Sequence, residues 1–152
     1  MTLPEDYTPH FADVEKLAVA VIDPLLRRVT PAGQVVTVFR QQDADLVESG
    51  TPVVRVQRVG GGVDDTGVLD HAHVQVAAAT SSRADSWSLI GYLRDELTSI
   101  EGGTMVTDPD SGERYRIQSI TEVSGPVRYT QPDLDQRIVD ILLTFTVRKI
   151  RK

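Results

Sequence analysis

Apolar residues recur every three or four positions near the start of the chain: Phe11, Val14, Leu17, Ala18, Val21, Ile22, Leu25, Leu26 and Val29. That is the helix period, and it predicts a helical segment over 11–29. Pro24 interrupts the pattern and Asp23 is a capping residue, so a kink or two short helices are expected. "TPAG", 30–33, closes the segment, and the β-branched run "VVTVFR", 35–40, predicts a strand. A polar stretch then reads as a loop. In "PVVRVQRV", 52–59, Val54 and Val56 face one way while Arg55 and Gln57 face the other. "LDHAHVQVAAAT", 69–80, alternates more cleanly, with Ala72, Val74, Val76 and Ala78 opposing His71, His73 and Gln75. Period two with one polar face predicts an antiparallel sheet covered on one side only.

The helix period returns in "SSRADSWSLIGYLRDELTSIEGG", 81–103. Ser82 and Asp85 approximate a capping box, and Gly102 or Gly103 supplies a left-handed stop. Ala84, Trp87, Ile90, Leu93, Leu97 and Ile100 form one apolar stripe, which is expected to cover the sheet with Trp87 in the core. "MVTDPDSGERYRI", 105–117, reads as a hairpin turning at "DPDSG". A strand continues to about Val123, and its apolar phase slips between Ile117 and Ile120, which predicts a bulge. "SGPVRYTQPDLDQ", 124–136, holds two prolines and reads as an excursion. "RIVDILLTFTVRKI", 137–150, closes the chain with Val139, Ile141, Leu143, Phe145 and Val147 on one face. At about 3.3 Å per residue it spans on the order of 40 Å, longer than a small body needs, so it is expected to reach a neighbouring subunit.

Composition narrows the class. A chain of 152 residues suits one domain, 1–152. Aromatics are only 5%, so the core must be built from Val, Leu, Ile and Ala. The net charge of −6 makes the surface repel nucleic acid phosphates. The absence of cysteine excludes disulfides, thiol catalysis and Cys-type zinc sites. The longest apolar run, "LAVAVI", 17–22, is far short of the roughly 20 residues of a membrane span. The opening residues lack the pattern of a signal peptide, so a soluble protein made in a cytoplasm is expected. Arginines outnumber lysines 13 to 3 and asparagine is missing, a bias of GC-rich coding that fits an actinobacterial genome or its phages.

One stretch raises the question of catalysis. "RVGGGVDDTG", 58–67, pairs a glycine run with two aspartates. A phosphate loop needs Lys-Ser/Thr and then a helix, whereas Val63 and a strand follow here. A flexible strand–strand connection is the simpler reading, with Asp64 and Asp65 solvated. His71 and His73 share a strand face, but two ligands do not make a metal site. "PDSGE", 109–113, lacks the oxygen spacing of a calcium loop. No nucleophile–base pair stands out, so neither an enzyme nor a cofactor is expected.

The order of these elements resembles the tail terminator proteins of long-tailed, siphovirus-type bacteriophages. The resemblance rests on a helical opening, "VTVFR" and "PVVRVQRVGG" strands, a Gly/Asp-rich loop, and "DHAHVQVAAATSSRADSWSLIGYLRDEL" running from strand into helix. A hairpin, "SGPVRYTQPD" and "RIVDILLTFTVRKI" complete it, so it covers nearly the whole chain. The Pro-interrupted first helix departs from the pattern. The resemblance implies an α+β fold, a mostly antiparallel twisted sheet with helices packed on one face and extended hairpin and loop arms. It implies a homo-hexameric ring on the tail tube, joined to the head–neck connector, with genomic DNA passing through the lumen without specific binding. Such a protein works in the virion after assembly in the host cytoplasm and contacts no membrane. Asp64 and Asp65 are candidates for a lumen or rim loop. Asp110, Arg114, Arg128, Tyr129 and Arg148 are candidates for subunit, tube or neck contacts, since a ring needs two different patches. The alternatives are another neck or tail-completion protein of the same virion, or a small ligand-binding α+β domain.

Overall fold

In the computed structural model the described residues are 1–7, 9–100, 102–128 and 137–148. The elements in chain order are α1 (Val14–Leu26), β1 (Gln34–Val36), α2 (Gln41–Glu48), β2 (Val53–Val63), β3 (Leu69–Ala79), α3 (Arg83–Thr98), β4 (Thr104–Thr107), β5 (Arg114–Arg128) and β6 (Val139–Arg148). The strands form one six-stranded sheet in the order β1-β2-β3-β6-β5-β4. β1 runs parallel to β2, and every other pairing is antiparallel.

Alternation decides which face is dry. Val139, Ile141, Leu143, Phe145 and Val147 of β6 are all buried, as are their neighbours Ala72, Val74, Val76 and Ala78 of β3. α3 lies across β3, β6 and β5, while α1 packs on β1 and β2 and also reaches β4. The sheet therefore curls, and α1 bridges its two ends. Leu17, Ile22 and Leu26 from α1 and Ile90, Leu93 and Leu97 from α3 fill the space between. Each helix has its own start signal. The Asp13 carboxylate accepts from the Glu15 and Lys16 amides at 3.1 and 3.4 Å. The Ser82 hydroxyl accepts from the Asp85 amide at 3.1 Å. The bulge expected between Ile117 and Ile120 is present, with a register shift between Ile117 and Ser119 that keeps both isoleucines buried.

The structure corrects several expectations. The first helix is not two short helices but a single helix with Pro24 inside it, because so late a proline removes one hydrogen bond and leaves the earlier turns intact. The strand expected at 35–40 is only Gln34–Val36, and the polar stretch after it is α2. The Asp43 carboxylate accepts the Arg40 amide at 2.7 Å and starts that helix. α2 packs Val47 and Leu46 against Val53 and Ala79, on the reverse face of the sheet near its β1 end. Trp87 is 40% exposed, and Ser86 takes the inward position instead. "SGPVR", the first part of the expected excursion, continues β5 to Arg128. Residues 129–136 of that excursion lie outside the described residues.

The largest correction concerns the last strand. Over Val139–Arg148 β6 does not overshoot the body, because it is an interior strand paired with β3 on one side and β5 on the other, and residues 149–150 of the expected strand lie outside the described residues. Both its edges are occupied, so it offers no backbone to a neighbour. Deleting residues 137–152 is expected to leave an unfolded chain by circular dichroism. Phe145, fully buried, is expected to cost about 3–5 kcal/mol when replaced by Ala, read from urea denaturation.

Candidate functional site

The glycine stretch is part of a strand. β2 continues through Gly60, Gly61 and Gly62 to Val63, in register with His73, Ala72, His71 and Asp70 of β3. Gly61 has φ +91°, and a Cβ there would lie 1.9 Å from the His71 carbonyl oxygen. Glycine is needed at 61 because the strands approach closely, a reason unconnected with phosphate. The expected flexible connection shrinks to a tight turn at 64–68.

Asp64 builds that turn. Its carboxylate accepts from the Thr66 hydroxyl at 2.7 Å and from the Val68 and Leu69 amides at 3.0 and 3.1 Å. The Thr66 hydroxyl first, then these amides, hold its pKa below the ordinary 3.8. Asp65 beside it is exposed. The two aspartates thus differ: only Asp65 is the solvated residue expected from the sequence.

The reverse face of the sheet carries a polar row. His71 Nδ1 meets the Thr146 hydroxyl at 3.1 Å, and His73 Nδ1 meets the Thr144 hydroxyl at 3.0 Å. Gln75 donates to the Asp140 carboxylate and accepts from Arg55 Nη2 at 3.0 Å. The Arg55 guanidinium also sits 5.1 Å from the centre of the Phe39 ring. Asp140 is 3% exposed, and its Oδ1 and Arg55 Nε have no hydrogen-bond partner. Burial raises the Asp140 pKa above 3.8, opposed by the Gln75 hydrogen bond and the Arg55 charge. Among the described residues no group of three His, Asp or Glu side chains is placed to hold a metal ion.

A second polar cluster fastens α1 to the sheet. A bulge between Arg58 and Gly60 interrupts the ladder, and Glu15 of α1 accepts the Arg58 amide at 2.8 Å. The Arg58 guanidinium grips Asp70 through two bonds of 2.7 and 2.8 Å. Nothing local in the sequence announces either contact, since Glu15 and Arg58 stand on different elements.

The remaining candidates fall in separate places. Asp110 sits in the β4–β5 turn and pairs with Lys16, which ties the turn to the first turn of α1. Asp108 organises that turn by accepting the Asp110 and Ser111 amides at 2.8 and 3.2 Å. Arg114 opens β5 and is exposed. Arg148 ends β6 opposite Leu69 and is half-buried. Arg128 ends β5, but its side chain is outside the described set, as is the whole of Tyr129.

The fold is α+β, and Asp13, Asp43, Ser82, Asp64 and Glu15 fix helix starts, a turn and a bulge of their own chain. The sequence profile of the phage tail termination protein family matches residues 10–152, and the chain belongs to that family. It is a structural protein of the phage tail and hence of the virion. Among curated proteins none matches the chain.

Two measurements probe these clusters. Asp64→Ala is expected to lower the melting temperature and Asp65→Ala to leave it unchanged. The Asp64 contribution is present above pH 3.8 and is lost as the pH falls through its depressed pKa. Asp140 has the opposite sign, because a raised pKa means that ionisation costs the folded state stability. Relative to Asp140→Asn, the wild type is expected to gain stability as the pH falls from 7 toward 4, measured by urea denaturation at each pH.

Proposed function

We propose that six copies form a ring on the last turn of the tail tube of a siphovirus-type phage of an actinobacterial host. The ring stops tube growth and presents its other face to the head–neck connector. Membership in the tail termination family over residues 10–152 carries this reading. The sheet supports it, since its two end strands, β1 and β4, are each paired on one side only. Two unlike edges on one subunit suit the heterologous contacts that close a ring. The net charge of −6 suits a lumen through which DNA slides without being held. Asp64 and Asp65, at the tip of the β2–β3 hairpin, belong at the rim of that lumen. Tails from a phage lacking this gene are expected to be overlong and uncapped by electron microscopy. Tails of normal length with closed ends would refute the reading.

A further inference from the structure

We propose that the uncovered face of the sheet is a contact surface for the phosphate backbone of double-stranded DNA, centred on Arg114, Arg116 and Arg148. α1 and α3 cover one face of the sheet, and α2 covers only the β1 end of the other. Tyr115, Ile117 and Val147 point into the core, so alternation turns Arg114, Arg116 and Arg148 outward on the uncovered side. The Ile117–Val147 pairing sets Arg116 beside Arg148 on the next rung. Neighbouring strands lie about 4.8 Å apart, and Arg114 stands about 7 Å from Arg116 along β5. Like charges side by side across a sheet cost stability. Arg114 and Arg148 have no carboxylate partner among the described residues, and Arg116 donates to the Gly102 carbonyl at 2.9 Å. The corner is therefore a positive patch without an anion from its own chain.

Carboxylates are kept off the rest of this face, although the chain holds 22 Asp and Glu against 16 Lys and Arg. Among the described residues of β3, β5 and β6, only Asp140 points this way, and it is 3% exposed. Asp70 and Glu122 lie on the helix side, where Arg58 and Arg94 hold them. Ser119 and Thr121 share rows with Thr146 and Thr144, which adds hydroxyls that can hydrogen-bond phosphate oxygens. A protein partner fits less well. Protein interfaces centre on aromatic and large apolar anchors, whereas Tyr115 and Phe145 of these strands both face the core. Charges beyond about 10 Å are screened at 0.1 M salt, so the local patch outweighs the net charge of −6. The acidic remainder keeps the hold weak, which suits DNA that slides past. The choice of DNA rests on the ring proposed above, in which that polyanion passes every subunit.

The full chain is titrated into a fluorescein-labelled duplex of random sequence and read by anisotropy between about 20 and about 200 mM salt. Binding that weakens steeply with salt is expected. Arg114→Gln/Arg148→Gln is expected to weaken it about tenfold at low salt and to cut the slope of log affinity against log salt by about two. Arg27→Gln/Arg28→Gln removes the same charge at the end of α1 and is expected to leave the slope unchanged. Equal losses from both pairs would reveal a net-charge effect and overturn the proposal, as would a wild type that does not bind at the lowest salt. Thr121→Lys adds a charge at an exposed position of the same face and is expected to tighten binding and steepen the slope. It decides the matter if the Gln pair fails to fold, and no gain from it overturns the proposal. A Gln pair that loses self-association while still binding DNA would make the face a protein contact instead. Overlong tails from the knockout without DNA binding would sink this face alone and leave the tail-cap reading standing.

Discussion

The fold depends on β6 lying between β3 and β5 with five alternate apolar residues facing the helices. Each of its neighbours was made earlier in the chain and waits for it. Until residues 139–148 are added, β3 and β5 have no common partner, and α3 has only half a sheet to cover. The core is consequently assembled from contacts distant in sequence, which links the first helix, the middle hairpin and the final strand into one cooperative unit.

Bulges and polar anchors adapt that sheet to its helices. The irregularity after Arg58 releases an amide that Glu15 takes up, while Arg58 itself clamps Asp70. The next residue of the same helix turn, Lys16, holds the β4–β5 turn through Asp110. The first turn of α1 thereby touches both the β2 and the β4 sides of a sheet that curls around it. Apolar packing brings these parts together, and the charged contacts fix their register.

Much of this was legible because it is periodic. The alternation in 69–80 and in the last strand, the stripe of the third helix, and the slipped phase at Ile117 all emerged as local patterns. α2 was hidden because "QQDADLVE" has few apolar residues, and it is held by the Asp43 cap and by Val47 and Leu46 packing on Val53 and Ala79, partners distant from the pattern of the segment itself. Trp87 was misplaced because Ser86 turns inward to meet the Thr80 amide at 3.1 Å and its hydroxyl at 2.9 Å, so Ser86 and Leu89 take the buried side of the first turns while Ile90, Leu93 and Leu97 keep the expected stripe. The candidate site was less legible. The role of Asp64 depends on amides four and five residues away, and the partners of Arg58 and Asp110 depend on how elements meet in space. The last strand was legible as a strand, though it begins at Val139 and not at Arg137, and its place inside the sheet is a property of topology that no local pattern encodes.

The flanked position of β6 also gives the molecule a grain. Hydrogen bonds between strands run nearly perpendicular to them. A pull along β6 therefore strains two whole ladders in shear at once, whereas a pull across the sheet peels rungs apart in succession. A subunit built this way resists tension well in one direction and yields more readily in the other, which makes its orientation in any particle under internal pressure a mechanical matter as well as a geometric one.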